Sequence, residues 1–415
     1  MSDKTQKIVS RSTPHTVSGG YLFFQMLKIG AVSWGGFMAL ISVVQKQFAE
    51  KDKVIDNETV LDGIALASVL PGPVAFNVVT FIGYKLRGLK GAFLAMAGIL
   101  LPSFILMIIL SYLYFTYGNI PVITNFFKGI YPAIAAIILA VVIGMAGKNI
   151  RDLYQAAIAL AALGLLIFMK NFFVTLIVMI SGGILGYLLY RNREEETEAA
   201  KDTAAEGSPG EKVYLIIGSL VLLIALLVWA LPLLCPASVR AGCMLQQKIT
   251  LIFSGLSLSL FGGGYVVIPM LENVFVHHLE WLTLKEFADG IALGQVTPGP
   301  IFISATFIGY KAGGLAGALN ATVSIFLPPA LLMILLSHFL DTLKHSRAVH
   351  AVFKGLRPAV IGMIFSAVVT IARGAELSWV SPVIFGIVLL LVLYYKVNVV
   401  YIIPLAGIAG MILFR

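Results

Sequence analysis

The chain has 415 residues, 59% of them hydrophobic and only 12% charged, with a formal net charge of +9. A soluble domain carries about 25% charged residues, so the composition excludes a water-soluble globular protein. The basic residues sit in short segments between apolar runs, which reads as membrane orientation and excludes a nucleic-acid surface.

In chain order, Met1 to Ser18 is polar and basic, with no evident cleavable signal. Apolar segments follow at 21–43, 60–84, 91–115, 131–147, 153–168 and 172–190. Arg191 to Lys212 is a polar linker containing Glu194-Glu195-Glu196 and Ser208-Pro209-Gly210. A further apolar span occupies 213–234, and the second series runs at 249–271, 286–310, 315–337, 357–372, 378–395 and 398–414. The expected architecture is an all-α polytopic membrane protein of about 13 segments. Residues 1–190 form an N-terminal transporter repeat, 191–212 a cytoplasmic linker, 213–234 a connecting helix and 235–415 a C-terminal repeat.

The duplication is explicit. Thr80-Phe81-Ile82-Gly83-Tyr84-Lys85 recurs as Thr306-Phe307-Ile308-Gly309-Tyr310-Lys311, and each copy follows a Pro-Gly-Pro, at Pro71-Gly72-Pro73 and Pro298-Gly299-Pro300. The offset is 227 up to the Pro-Gly-Pro and 226 beyond it, so the first half carries one extra residue between Pro73 and Thr80. Six crossings per half plus the extra span would invert the halves, a common transporter design. That path places eighteen Lys and Arg on the N-terminal side against ten on the other, so the N-terminus is expected in the cytoplasm and the C-terminus outside. A rival path makes only the Pro-Gly-Pro segments re-entrant. It splits the charges twelve to sixteen and is the less favoured of the two.

The chemistry is expected at the breaks. Residues 60–70 and 74–84 would each make a half-helix of about 16 Å. Between them the prolines remove two backbone donors. Pro73 and Pro300 are placed at the starts of the second half-helices. The amides of Val74, Ala75 and Phe76, and of Ile301, Phe302 and Ile303, would then lack helical acceptors and face an anion at a positive helix end. The alternative is a kink for packing alone. Asn77 and Ser304 could donate to substrate oxygens, and Thr80 and Thr306 less directly. Gly35-Gly36 and Gly262-Gly263-Gly264 are a second break or tight packing sites. Gly88, Gly91, Gly314 and Gly317 have packing spacing. Lys85 and Lys311 attract anions or snorkel to the interface. Asp62, Glu272 and Asp289 are candidates for proton coupling, with helix-start charge as the plainer reading. His277-His278 suit a loop or interface rather than a metal. Cys235 and Cys243 are incidental thiols, or a disulfide if their loop faces an oxidising side. No metal site, cofactor site, phosphate loop or nucleophile–base pair is evident, so an enzyme is not expected.

Several motifs resemble the chromate ion transporter family in its long, two-domain form. They are Ser33-Trp34-Gly35-Gly36, Leu70-Pro71-Gly72-Pro73 and Ile82-Gly83-Tyr84 in the first half. In the second they are Leu260-Phe261-Gly262-Gly263-Gly264-Tyr265, Ile268-Pro269-Met270 and the run from Asp289 to Pro300. The chain departs from that family at Phe37, where a proline is usual, and at Val74-Ala75-Phe76-Asn77, where a glutamate is usual. The resemblance implies a bacterial inner-membrane carrier that exports chromate on the membrane potential or proton gradient, with homologous halves of opposite orientation. The expected partners are a small inorganic anion (chromate or sulfate) and the lipid bilayer. A homodimer stays open. Carriers of another anion, such as sulfate or an organic acid, and a non-transport scaffold or sensor are the alternatives.

Overall fold

Glycine and proline set where these helices stop and turn back. The computed structural model describes residues 17–33, 37–118, 120–169, 172–191, 218–219, 223, 226–228, 230, 232–233, 235–259, 267–337, 346–374 and 378–414. Most of the linker and of the 213–234 span, and both glycine runs (Gly35-Gly36 and Gly262-Gly263-Gly264), lie outside the described residues. The first half contributes α1 (Gly19–Val32), α2 (Phe37–Gln45), α3 (Asn57–Val69), α4 (Val74–Tyr117), α5 (Pro121–Asn149), α6 (Leu153–Phe168) and α7 (Phe172–Tyr190). The second contributes α8 (Arg240–Ser259), α9 (Val267–Glu272), α10 (Leu284–Val296), α11 (Ser304–Leu336), α12 (Arg347–Gly374), α13 (Val380–Leu393) and α14 (Val399–Leu413). Helices α4, α5, α11 and α12 are each long and apolar enough to cross a membrane.

The favoured expectation of two collinear half-helices is corrected by the structure. Helix α3 ends at Val69, and α4 starts at Val74 and runs back along it. A Cβ on Gly63 would sit 2.8 Å from the Phe81 ring, and one on Gly290 2.5 Å from the Phe307 ring. Residues so far apart along two collinear half-helices would be separated by more than about 20 Å, so each Pro-Gly-Pro is the tip of a helical hairpin. Gly72 at φ +94° and Gly299 at φ +104° make the reversal. Only glycine takes that conformation without a steric penalty.

The segments expected to cross at 21–43 and 249–271 fold back in the same way. The Tyr21 hydroxyl donates to the Asp52 carboxylate, and the Tyr21 and Phe48 rings meet edge to face at 6.4 Å. In the second half Phe253 stacks on Phe275 at 4.9 Å.

Inside α4 the chain reverses again at Arg87-Gly88, and inside α11 at Gly313-Gly314. Gly88 (φ +59°) and Gly314 (φ +60°) face open space, so they are turn glycines and not packing glycines. Gly91 and Gly317 do pack, against the carbonyls of Gly83 and Gly309. Each returning arm, 74–86 or 304–312, thus folds onto a long arm, 89–117 or 315–336.

The two halves exchange their last helices. Helices α6 and α7 pack on α12, α13 and α14 pack on α5, and α5 packs on α12. Gly355 of α12 meets Gly186 of α7, while its repeat partner Gly129 of α5 meets Gly410 of α14. Small residues let these backbones approach, as membrane helix packing requires. A disulfide joins Cys235 to Cys243 at the entrance to α8.

A Cβ at Gly309 would lie 2.6 Å from that of Ala321, whereas one at Gly164 would meet nothing within 4 Å. Gly309→Leu is therefore expected to destabilise the detergent-solubilised protein by about 2 kcal/mol or more, and Gly164→Leu by less than about 0.5 kcal/mol. Thermal unfolding of the two variants side by side measures the difference.

Candidate functional site

The two Pro-Gly-Pro tips lie where the long arms are at mid-length. Ser103 stands at the middle of the 89–117 arm, and a Cβ on Gly299 would lie 3.2 Å from its hydroxyl. A Cβ on Gly72 would overlap Pro329 of α11, the repeat partner of Ser103. Each Pro-Gly-Pro thus rests on the long arm of the other half. The Gly299 amide also donates to the Ser33 carbonyl at 3.1 Å, tying a second-half tip to a first-half tip. Phe326 of α11 joins the two Pro-Gly-Pro tips, with its ring 4.8 Å from Phe76 and 6.2 Å from Phe302.

Backbone donors at this junction follow from how the returning arms begin. The Asn77 amide makes the first helical bond, to the Pro73 carbonyl at 3.0 Å, which leaves Val74, Ala75 and Phe76 without helical acceptors. The second half differs from expectation. Ile301–Ile303 form a 3-10 turn in which the Ile303 amide bonds the Pro300 carbonyl at 3.0 Å, so only the Ile301 and Phe302 amides have no acceptor among the described residues. That turn also accounts for the missing residue of the second repeat. Three 3-10 residues rise about 6 Å, as four α residues do.

Buried polar side-chain atoms almost always find partners. Among the described residues five do not, and three of them lie on the tips: Ser33 Oγ, Asn77 Oδ1 and Gln295 Nε2. Ser33 and Asn77 are buried. Asn77 donates one Nδ2 hydrogen to the Pro71 carbonyl at 3.0 Å, which steadies its own tip, and its unpartnered atom is the acceptor Oδ1. Ser304 is buried on the first turn of α11. Thr80 bonds the Phe76 carbonyl at 2.9 Å and Thr306 bonds Thr322 at 2.7 Å, so both are turned into helix packing. Ser33 and Gln295 were not singled out as site residues from the sequence. The signal that could have found them is a hydroxyl and an amide beside the two backbone breaks.

The charged candidates lie elsewhere. Lys85 and Lys311 end the returning arms at the hairpin bases, away from the tips. Lys85 sits 5.3 Å over the Phe81 ring. Lys311 is paired with Glu286 at 2.6 Å, which cancels much of the field it was expected to offer an anion. Asp62 is half-buried on α3. Glu272 is buried at the end of α9 and faces His277 at 3.2 Å. Asp289 is fully buried on α10 and accepts a 2.5 Å hydrogen bond from Tyr114 of α4. The junction itself is polar and carries no charged side chain among the described residues that line it.

This geometry defines a class: a multi-pass helical membrane protein whose duplicated, broken helices meet in a shared polar junction. The sequence model of the family described as Chromate transporter matches residues 20–187 and 247–411. The chain belongs to that family, and it is an ion transporter. It is 32% identical over 427 residues to a chromate transport protein of Pseudomonas aeruginosa, covering 99% of this chain and 96% of that one. An uncharacterized transporter of Methanocaldococcus jannaschii is 28% identical over 412 residues, with 99% and 97% covered. A chromate transport protein of Cupriavidus metallidurans is 26% identical over 353 residues, with 85% and 82% covered. No solved structure matches the chain.

Because Gln295 Nε2 has no partner in the fold, its loss costs the fold little. Gln295→Ala is expected to leave thermal stability unchanged and to weaken anion binding by about tenfold, the worth of one hydrogen bond to a charged group. Titration calorimetry with chromate, beside an unfolding curve, reads both.

Proposed function

We propose that this protein is a secondary transporter of a small tetrahedral oxyanion, with chromate the first candidate, and that it exports its substrate from the cytoplasm. The observation that carries the reading is the set of unpartnered buried groups at the junction of the tips. Ser33, Gln295 and the free amides of Val74, Ala75, Phe76, Ile301 and Phe302 supply donors without a fixed counter-charge, as an anion that must also leave requires. Chromate is favoured by the names of the relatives in Pseudomonas aeruginosa and Cupriavidus metallidurans. The cycle is alternating access, in which one half moves against the other around this junction.

Orientation follows from the hairpins. If each half makes two hairpins from one side and then four crossings, and 213–234 crosses once more, the second half begins on the opposite side and is inverted. Sorting the 29 Lys and Arg along this path gives twenty against eight, with Lys28 on neither side. That is a stronger bias than the path without hairpins gives, and it supports a cytoplasmic N-terminus. The Cys235–Cys243 disulfide then falls outside the cell, in the compartment where disulfides persist.

Two measurements test the reading. Inside-out vesicles containing the protein are expected to accumulate chromate when energised, with weak inhibition by excess sulfate. Full block by sulfate would make it a general anion carrier, and absence of any anion flux would leave a scaffold or sensor. For orientation, a membrane-impermeant maleimide should label Cys243 in intact cells only after reduction. Labelling confined to inside-out vesicles would reverse the assignment.

A further inference from the structure

The junction uses none of the chain's carboxylates, yet one of them is fully buried. Asp289 lies on α10, on the arm of the second Pro-Gly-Pro hairpin that leads to the tip. Its Oδ2 accepts from Tyr114, which belongs to the long arm of α4 in the other half. Its Oδ1 has no hydrogen-bond partner. The Tyr131 hydroxyl of α5 lies beside the same carboxyl group, close enough to turn its proton toward it, and it also reaches the Lys285 carbonyl at 3.3 Å. Apolar rings close the surroundings, with Phe127 and Phe307 each packed edge to face on Tyr114. The charged groups that act on Asp289 are Lys285 and Glu286 of its own helix, and Glu286 is held by Lys311 of α11.

Burial decides which form this geometry suits. An ionised carboxylate would be a fully buried charge with two tyrosine hydroxyls and, among the described residues, no contacting cation to satisfy it, which is costly. A protonated one would donate from Oδ1 to the Tyr131 oxygen, whose lone pairs are free to accept, and would still accept from Tyr114 at Oδ2. Every polar atom of the cluster is then paired.

We infer that Asp289, held between Tyr114 and Tyr131, is the proton-binding site of the transport cycle and that its protonation latches the second-half hairpin onto the first half. The proton binds to Oδ1 and leaves from it, with no other bond made or broken. Release leaves a buried charge that two hydroxyls do not compensate, and α10 parts from α4 and α5. Tyr114 and Tyr131 are positioning residues. The first repeat lacks the device: the counterparts of Tyr114 and Tyr131 are Leu340 and Arg357, so Asp62 has an apolar residue and a permanent cation at the matching positions. The proposal rests on the anion-carrier reading and assigns its coupling ion and the residue that takes it.

The test uses the full chain in proteoliposomes, with chromate as the probe. One assay follows chromate–chromate exchange at equal pH, and the other follows accumulation against a gradient under an imposed pH difference. Wild type is expected to do both. Asp289→Asn, which mimics the protonated acid, should keep exchange and lose pH-driven accumulation. Tyr131→Phe withdraws the acceptor but keeps the carboxylate. It should keep exchange and displace the pH profile of driven transport by about one unit, and it serves if the asparagine variant does not insert. Full driven accumulation by Asp289→Asn would overturn the assignment, as would wild-type accumulation that follows a sodium gradient and ignores the pH difference. Exchange absent from wild type would overturn the carrier reading itself.

Discussion

Everything in this fold answers one constraint: backbone that is not helical must still be satisfied inside a bilayer. Four interruptions of the chain, at two glycine runs and two Pro-Gly-Pro motifs, would each be costly alone in lipid. Turning the two Pro-Gly-Pro breaks into hairpin tips that rest on the long arms of α4 and α11 buries them in protein. The Gly299 amide, bonded to the Ser33 carbonyl, is the direct expression of that solution. What remains unsatisfied there, Ser33 Oγ, Asn77 Oδ1 and Gln295 Nε2, is the part that the proposed function assigns to a ligand.

The same arrangement explains why the halves interleave. A hairpin reaching mid-membrane has no partner below its tip, so each Pro-Gly-Pro leans on the other half's long arm, at Pro329 or Ser103. The exchange of α6 and α7 onto α12, and of α13 and α14 onto α5, locks the pairing. Duplication supplies the frame, and small departures from it supply direction. The 3-10 turn at Ile301–Ile303 removes one free amide from one side of the junction. The buried Asp289 cluster stands on one side only.

How much of this was legible in the sequence depended on its range. The repeat, the all-helical class and the location of the breaks were readable residue by residue, because Pro71-Gly72-Pro73 and Pro298-Gly299-Pro300 act locally on the backbone. The hairpins were not. An apolar run of about 25 residues with a break in its middle has the same composition whether it crosses or returns. Only the re-sorted charges, with Lys46, Lys51 and Lys53 moved to the N-terminal side, carried a trace of it. The contacts that join the halves, Gly299 to Ser33 at the junction and Asp289 to Tyr114 beside it, link residues more than a hundred positions apart. No local pattern announces such pairs. The two glycine runs, read either as breaks or as packing sites, lie outside the described residues.

The central claim is that an anion binds where the hairpin tips meet. A cryo-electron microscopy map of the protein in nanodiscs with chromate tests it most directly. The account predicts density for a tetrahedral anion within hydrogen-bond distance of Ser33, Gln295 and the amides that follow Pro73 and Pro300. Density at the hairpin bases beside Lys85 or Lys311, with the tip junction closed and empty, would contradict it.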